Sequence, residues 1–155
     1  MHAQFLAQAV ALAAENARSG QGGPFGAIIV KDGQIIATSG NLVTHNQDPT
    51  AHAEISAIRL ACAKLGDFQL SGCILYTSCE PCPMCLGAIY WSRLAKVYFA
   101  CNRFDAAAVN FDDSFIYDEI ALEPTARHIP MLPIQLPDAM LPFKIWSEKT
   151  DKLVY

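Results

Sequence analysis

The chain has 155 residues, which suits one domain with a buried hydrophobic core and leaves little room for two. Apolar residues make up 52% of the chain and charged residues 17%, a balance that excludes a disordered protein. The formal net charge of −4 weighs against nucleic acid as a partner, and no apolar run approaches the about 20 residues that would indicate a membrane partner.

The N-terminal part predicts a helix and then a hairpin. Residues 3–18 are rich in alanine with apolar residues at helical spacing, which predicts a helix. Residues 25–30 and 34–38 are apolar runs on either side of Asp32 and Gly33, a pair typical of tight hairpin turns. A polar loop over 41–49 follows.

The central part alternates between helix and strand. A second helix is predicted over 51–65, with Thr50 as its N-cap and Gly66 at its end. A strand, a helix and a strand follow at 73–77, about 82–91 and 96–100. The order α-β-β-α-β-α-β predicts an α/β domain in which helices pack on a mixed sheet.

The C-terminal part gives weaker signals. Residues 105–120 are expected to hold one or two short helices. Five of the nine prolines fall within 124–142, so this stretch is expected to be extended or looped. A final helix is expected within 141–155.

The cysteines fall into two groups. Because the first residues lack the basic and apolar regions of a secretory signal, we expect a cytoplasmic location, where thiols stay reduced. Three cysteines lie in apolar surroundings and are interpreted as small core residues: Cys62, Cys73 and Cys101. The other three are crowded into seven positions, which is typical of metal binding: Cys79, Cys82 and Cys85.

A histidine, an acid and two cysteines form a pattern typical of catalytic zinc. Cys82 and Cys85 lie at i and i+3, so one helical turn brings both thiols to one side, and the helix dipole favours their thiolate forms. With His52 they make three ligands, which leaves the fourth position of one zinc ion open to water. Glu54, two residues after the histidine, is predicted to carry protons as base and then as acid.

Two other interpretations of the cysteines remain. A redox pair would give His52 and Glu54 no role. If Cys79 were a fourth ligand, the closed shell would be a structural zinc module without catalysis, and Glu54 would again have no function. We therefore favour the catalytic site.

The motif residues resemble a known superfamily. Residues 50–54 (TAHAE) and 76–91 (YTSCEPCPMCLGAIYW) carry the H-x-E and P-C-x-x-C signature of zinc nucleobase deaminases, so the chain resembles the cytidine deaminase-like superfamily. Together with residues 22–27 (GGPFGA) and 111–117 (FDDSFIY), it resembles more narrowly the short bacterial guanine deaminases.

This resemblance implies a fold and an activity. The fold would be a three-layer α/β/α domain over 1–155 with a mixed five-stranded sheet. The reaction would be hydrolysis of the free purine base guanine to xanthine and ammonia. The chain would be a homodimer that exchanges its C-terminal segment, about 141–155, between subunits. The resemblance also implies substrate contacts at five positions: Phe25, Asn41, Trp91, Asp113 and Tyr155.

Other substrates remain open. Cytosine, another aminated heterocycle or tRNA adenosine would suit the same metal signature. A tRNA deaminase must neutralise phosphates, whereas residues 104–126 contain six acids and no Lys or Arg. This charge pattern favours a small free base over nucleic acid.

Overall fold

The computed structural model describes residues 1–155, which divide into two compact units, 1–114 and 115–155. The first unit holds a four-stranded sheet: β1 (Gly26–Lys31), β2 (Gln34–Gly40), β3 (Ile74–Cys79) and β4 (Lys96–Cys101). Its helices are α1 (His2–Ser19), α2 (Val43–Asn46), α3 (Ala53–Leu65), α4 (Pro83–Trp91) and α5 (Arg103–Ala107). None of the helices of the chain has the length and apolar character required to cross a bilayer.

The hairpin is confirmed, and its turn explains the residues found there. Asp32 and Gly33 both have positive φ, 51° and 76°, as a two-residue turn that follows the strand twist requires. Lys31 pairs with Gln34 across the turn, and β1 and β2 run antiparallel up to the pair Gly26 and Gly40.

The sheet has four strands in the order β2-β1-β3-β4, so the expected fifth strand is absent. β1 is antiparallel to both β2 and β3, and β3 is parallel to β4 through a connection that contains α4. After β4 the chain turns at once into α5, because the Asn102 side chain caps that helix. The later stretch 127–140 forms no strand, since its prolines cannot donate hydrogen bonds to a strand ladder.

Helices cover both faces of the sheet. On one face Ile28 and Val30 of β1 pack with Ala9 of α1 and with Tyr76. On the other, a larger cluster joins the sheet to α3 and α4: Ala27, Ile29, Ala37, Ala53, Ala57, Ile58, Ala61, Leu70, Cys73, Leu75 and Ile89. Consecutive residues of β1 therefore serve opposite cores, as expected for a central strand in a three-layer arrangement.

Two local expectations about side chains in the first unit are wrong. The N-cap of α3 is His52 rather than Thr50. Thr50 instead donates its hydroxyl to Asp48 Oδ1 at 2.7 Å, which keeps it in the preceding loop. Cys101 is exposed rather than a core residue, because it lies at the end of the edge strand β4.

The second unit contains α6 (Ser114–Ala121, which begins at the boundary), a 3₁₀ turn (Pro124–Ala126) and α7 (Leu141–Glu148). The Arg127 side chain donates to the carbonyls of Glu119 and Ile120, which satisfies the C-terminal end of α6. The predicted final helix is confirmed only over the bounds of α7, and residues 149–155 have no regular structure.

Candidate functional site

Two helix N-termini bring the predicted metal ligands together. His52 is the N-cap of α3, Cys82 is the N-cap of α4, and Cys85 lies one turn further along α4. Pro83 occupies the first turn of α4, where its missing N–H costs no hydrogen bond. His52 Nδ1 lies 3.5 Å from each of the two sulfurs, and the three ligand atoms are all within 4.8 Å of one another. Two thiols and an imidazole at this spacing are a donor set that fits zinc.

Hydrogen bonds among the three ligands shift their pKa values. The hydrogen bond with Cys85 lowers the pKa of the Cys82 thiol to about 4, and the same contact raises the pKa of Cys85. A thiol that ionises readily is a favourable zinc ligand. The hydrogen bond to Cys82 also raises the pKa of His52. Because ligands bind metal in their deprotonated forms, zinc uptake here releases protons.

Glu54 lies beside this cluster in the first turn of α3. Its residue is 6% exposed, and burial raises the pKa of its carboxyl. The charge of Cys82 raises the pKa of this carboxyl further, and the charge of His52 opposes that rise. A buried acid with a raised pKa, next to three metal ligands, suits proton transfer near neutral pH.

Cys79 does not join the metal ligands. Its Sγ donates to the carbonyl of Asn102 at 3.5 Å, and burial raises the pKa of its thiol to about 11. The group of ligand atoms within reach of one ion comprises His52, Cys82 and Cys85 alone. This geometry argues against the closed structural site, because these three residues would leave the fourth position of a bound zinc ion open.

The loop between β3 and α4 is tied to the segment after β4. Glu80 donates its N–H to the carbonyl of Cys101 at 2.8 Å and accepts the Arg103 N–H on Oε2 at 3.0 Å. Asn102 and Asp105 exchange side-chain and backbone hydrogen bonds as a capping box at the start of α5. Hydrogen bonds thus hold together the loop that carries Cys82 and the start of the segment that leads to Asp113.

Phe25 and Asn41 lie close together beyond the ends of the hairpin strands. Phe25 meets Phe111 edge to face, with ring centroids 5.0 Å apart. Phe111 was missed as a site residue, because the contact joins positions 86 apart in the chain and no local pattern predicts it. The Asn41 residue is 7% exposed, and its Oδ1 accepts from the N–H groups of Val43 at 3.2 Å and Gly23 at 3.4 Å.

Asp113 has an unpaired buried oxygen. Its Oδ1 is buried and accepts no hydrogen bond. Burial, followed by the charge of Cys82, raises the pKa of this carboxyl, and Asp113 in turn contributes to the raised pKa of His52. A buried acceptor without a partner is rare enough to require a reason, and a ligand that supplies the missing donor is one.

The last two predicted residues, Trp91 and Tyr155, have exposed side chains. Trp91 ends α4 and is 67% exposed. Since it follows Cys85 by six residues, it lies about 9 Å further along the helix axis. Tyr155 belongs to the second unit and is also 67% exposed. Their predicted roles in substrate binding stay predictions.

Known proteins share these features. The family model for the cytidine and deoxycytidylate deaminase zinc-binding region matches residues 1–101. Guanine deaminase of Bacillus subtilis is 55% identical over 154 residues, 99% of both chains, and a crystal structure of guanine deaminase from that organism covers 100% of this chain and 99% of its own with a TM-score of 0.98. A tRNA-specific adenosine deaminase of Agrobacterium fabrum is 41% identical over 107 residues, 69% of this chain and 67% of its own.

Proposed function

We propose, from the premise that this chain belongs to the family of the cytidine and deoxycytidylate deaminase zinc-binding region, that it is a zinc-dependent enzyme that hydrolyses free guanine to xanthine and ammonia. The observation that carries the proposal is the buried Glu54 carboxyl beside a metal-ligand set with an open position. Guanine as the base is supported by the full-length similarity to the guanine deaminase of B. subtilis.

His52, Cys82 and Cys85 would hold one zinc ion per chain. Bound there, zinc supplies Lewis acidity, which lowers the pKa of water and makes hydroxide available at neutral pH. Glu54 accepts the proton lost by the attacking water and delivers it to the ring nitrogen next to the amino-bearing carbon. Glu54 then accepts the proton of the newly added hydroxyl group and transfers it to the amino group. The C–N bond breaks, ammonia leaves and the carbonyl of xanthine forms, so the carboxyl acts as base and then as acid.

We assign recognition of the base to one hydrogen-bond acceptor and one donor. Asp113 Oδ1 is a buried acceptor, and guanine offers ring and amino N–H donors. Asn41 uses its Oδ1 within the protein, which leaves the Nδ2 donor for an acceptor on the base, such as the guanine carbonyl. Phe25 and Phe111 supply apolar ring surface at the same place.

A tRNA adenosine deaminase is the second candidate, because such enzymes are also similar to this chain. The acidic segment over 104–126, which lacks Lys and Arg, weighs against a polyanionic substrate. Against cytosine and other aminated heterocycles the argument is the full-length similarity to the guanine deaminase of B. subtilis.

We also assign the C-terminal part a role in assembly. The second unit leaves large apolar side chains in water, among them Ile134 at 82%, Phe143 at 66% and Ile145 at 57% exposure. Exposed apolar surface of this extent is typical of an interface. We propose a homodimer in which the segment about 141–155 exchanges between subunits and Tyr155 closes the partner's substrate pocket, which makes residues 1–155 one functional domain.

Trp91 is assigned to the wall of the substrate pocket within the same assembly, where its exposed ring would be covered. We place the protein in the cytoplasm, because six free cysteines suit a reducing compartment.

An ammonia-release assay on a panel of substrates tests the activity. The panel holds guanine, adenine, cytosine and a tRNA substrate, each with the wild-type chain and with Glu54→Gln as the inactive control. We expect guanine to be turned over fastest and Glu54→Gln to release little ammonia. Faster release from cytosine or from tRNA adenosine would refute guanine as the substrate.

A further inference from the structure

One buried polar side chain of α1 has no place in the chemistry described above. Asn16 is 5% exposed, on a helix face that otherwise buries alanines. Its Nδ2 donates to the carbonyl of Gly23 at 2.8 Å and to the carbonyl of Asn41 at 2.9 Å. Both amide hydrogens are thus spent on two separate loops, one after α1 and one after β2.

These bonds close a circuit that includes two proposed substrate residues. The Gly23 carbonyl also accepts from the N–H of Phe25 at 2.8 Å, and the Phe25 carbonyl accepts from the N–H of Asn41 at 3.0 Å. Gly23 N–H in turn donates to Asn41 Oδ1 at 3.4 Å. The Asn16 side chain therefore links the backbones of the two loops that carry Phe25 and Asn41 to helix α1.

The backbone around Asn16 leaves it little freedom. A Cβ on Gly40 would lie 2.3 Å from Asn16 Oδ1, and a Cβ on Gly22 would lie 2.1 Å from the Asn41 carbonyl oxygen. Neither glycine has a positive φ, so each is required for space rather than for backbone conformation. The Asn16 side chain cannot move away without disturbing one of the two loops. Its two N–H donors therefore fix the distance between the Gly23 loop and the Asn41 loop.

We infer that Asn16 is a positioning residue for base recognition: through its two backbone contacts it holds Asn41 and Phe25 in the arrangement that meets the substrate. The inference rests on the proposed function. Asn16 touches neither the base nor the metal ligands in this arrangement. Its effect passes through Asn41, whose carboxamide keeps Oδ1 toward backbone donors and Nδ2 toward the base.

A purely structural clamp would also explain the hydrogen bonds, and kinetics separates the two roles. A clamp that serves stability alone would lower the melting temperature and leave KM unchanged among the folded molecules. A positioning residue changes KM in the folded enzyme while zinc content stays the same. A loss of binding with little change in kcat indicates contacts shared by ground and transition state.

The experiment compares Asn16→Ala and the milder Asn16→Ser, which retains one hydroxyl donor, with the control Ile28→Val. Ile28 is 2% exposed and packs against α1, so its truncation also destabilises this part of the fold but leaves the circuit intact. Zinc per chain, melting temperature, and kcat and KM for guanine are measured for each protein. For Asn16→Ala we expect a rise in KM of about tenfold with a smaller change in kcat, for Asn16→Ser a smaller rise, and for the control no change in KM.

A double variant tests whether the effect passes through Asn41. If it does, Asn16→Ala raises KM much less when Asn41 is already alanine than in the wild-type background. Two results would overturn this inference and leave the proposed function standing, provided that the wild-type chain turns over guanine. One is an unchanged KM in both Asn16 variants. The other is a double variant in which the single effects of Asn16→Ala and Asn41→Ala on KM simply multiply. Absence of guanine turnover by the wild-type chain would overturn the proposed function and the inference with it.

Discussion

Removal of the Asp113 carboxylate should weaken catalysis by an amount that follows from its unpaired oxygen. Oδ1 is buried and accepts no hydrogen bond within the protein, so a donor from guanine would be its partner in the complex. Hydrogen bonds to charged groups contribute about 1.5–3 kcal/mol, and each 1.4 kcal/mol is about a factor of ten. Asp113→Ala should therefore lower kcat/KM for guanine by about 10- to 100-fold.

The same substitution should stabilise the free protein. A buried acceptor without a partner costs about 1–3 kcal/mol. Because only one oxygen of the partly exposed Asp113 is buried, we use the lower limit, which corresponds to a rise in Tm of about 2–4 °C for a chain of this size. Burial raises the pKa of this carboxyl, so its penalty applies when it is ionised and falls away as the pH drops through that raised pKa. The stabilisation by Asp113→Ala should accordingly shrink in acid.

The neighbouring Asp112 provides a matched control, because its removal should change Tm in the opposite direction. Asp112 Oδ1 accepts the N–H of Ser114 at 2.9 Å, and this backbone hydrogen bond lowers the pKa of the exposed carboxyl. Asp112→Ala should therefore lower Tm slightly and leave kcat/KM nearly unchanged. Xanthine formation, zinc content and thermal melts would be measured for both variants. If Asp113→Ala, with full zinc content, keeps kcat/KM within about twofold of wild type, a hydrogen bond of the cited size is refuted.

The metal ligands, the proton carrier and the tail give three further expectations. Cys82→Ala should lose zinc and activity together, and Cys79→Ala should keep both by metal analysis and assay; zinc loss from the latter would instead support a closed site. Glu54→Gln should fold and retain zinc while turnover falls by about 10²–10⁴-fold, and near-normal turnover with full zinc would contradict its role. Exchange of subunits between Glu54→Ala and a chain without residues 151–155 should restore activity if the tail acts in trans; inactive mixed dimers, or a fully active truncated homodimer, would exclude that role.

The sequence was most informative where partners are close along the chain. The spacing of Cys82 and Cys85 predicted one shared side of a helical turn, and the Asp32–Gly33 pair predicted the hairpin, because both depend on local geometry. Helix ends that depend on the surrounding loop were harder to place. Thr50 is a favourable N-cap residue, yet its hydroxyl bonds to Asp48 and the helix starts later, after His52.

Long-range contacts account for most of what the sequence did not predict. Asn16 bonds to a carbonyl 25 residues away, and its place among alanines of α1 gave no sign of the loop it meets. The exposure of Cys101 follows from β4 being an edge strand, which depends on the strand order of the whole sheet. The fifth strand was implied by resemblance alone, and the capping box at Asn102 starts a helix directly after β4.

The anchored start of the segment after β4 has a consequence for how such enzymes diverge. The family match ends at residue 101, whereas Phe111 and Asp113 lie beyond it, after the capping box at Asn102. The capping box fixes where this segment begins through bonds between near neighbours, and the Glu80 contact ties it to the loop before α4. If Phe111 and Asp113 contact the base as proposed, substitutions beyond this anchored start would change which base is accepted and would leave His52, Cys82 and Cys85 in place.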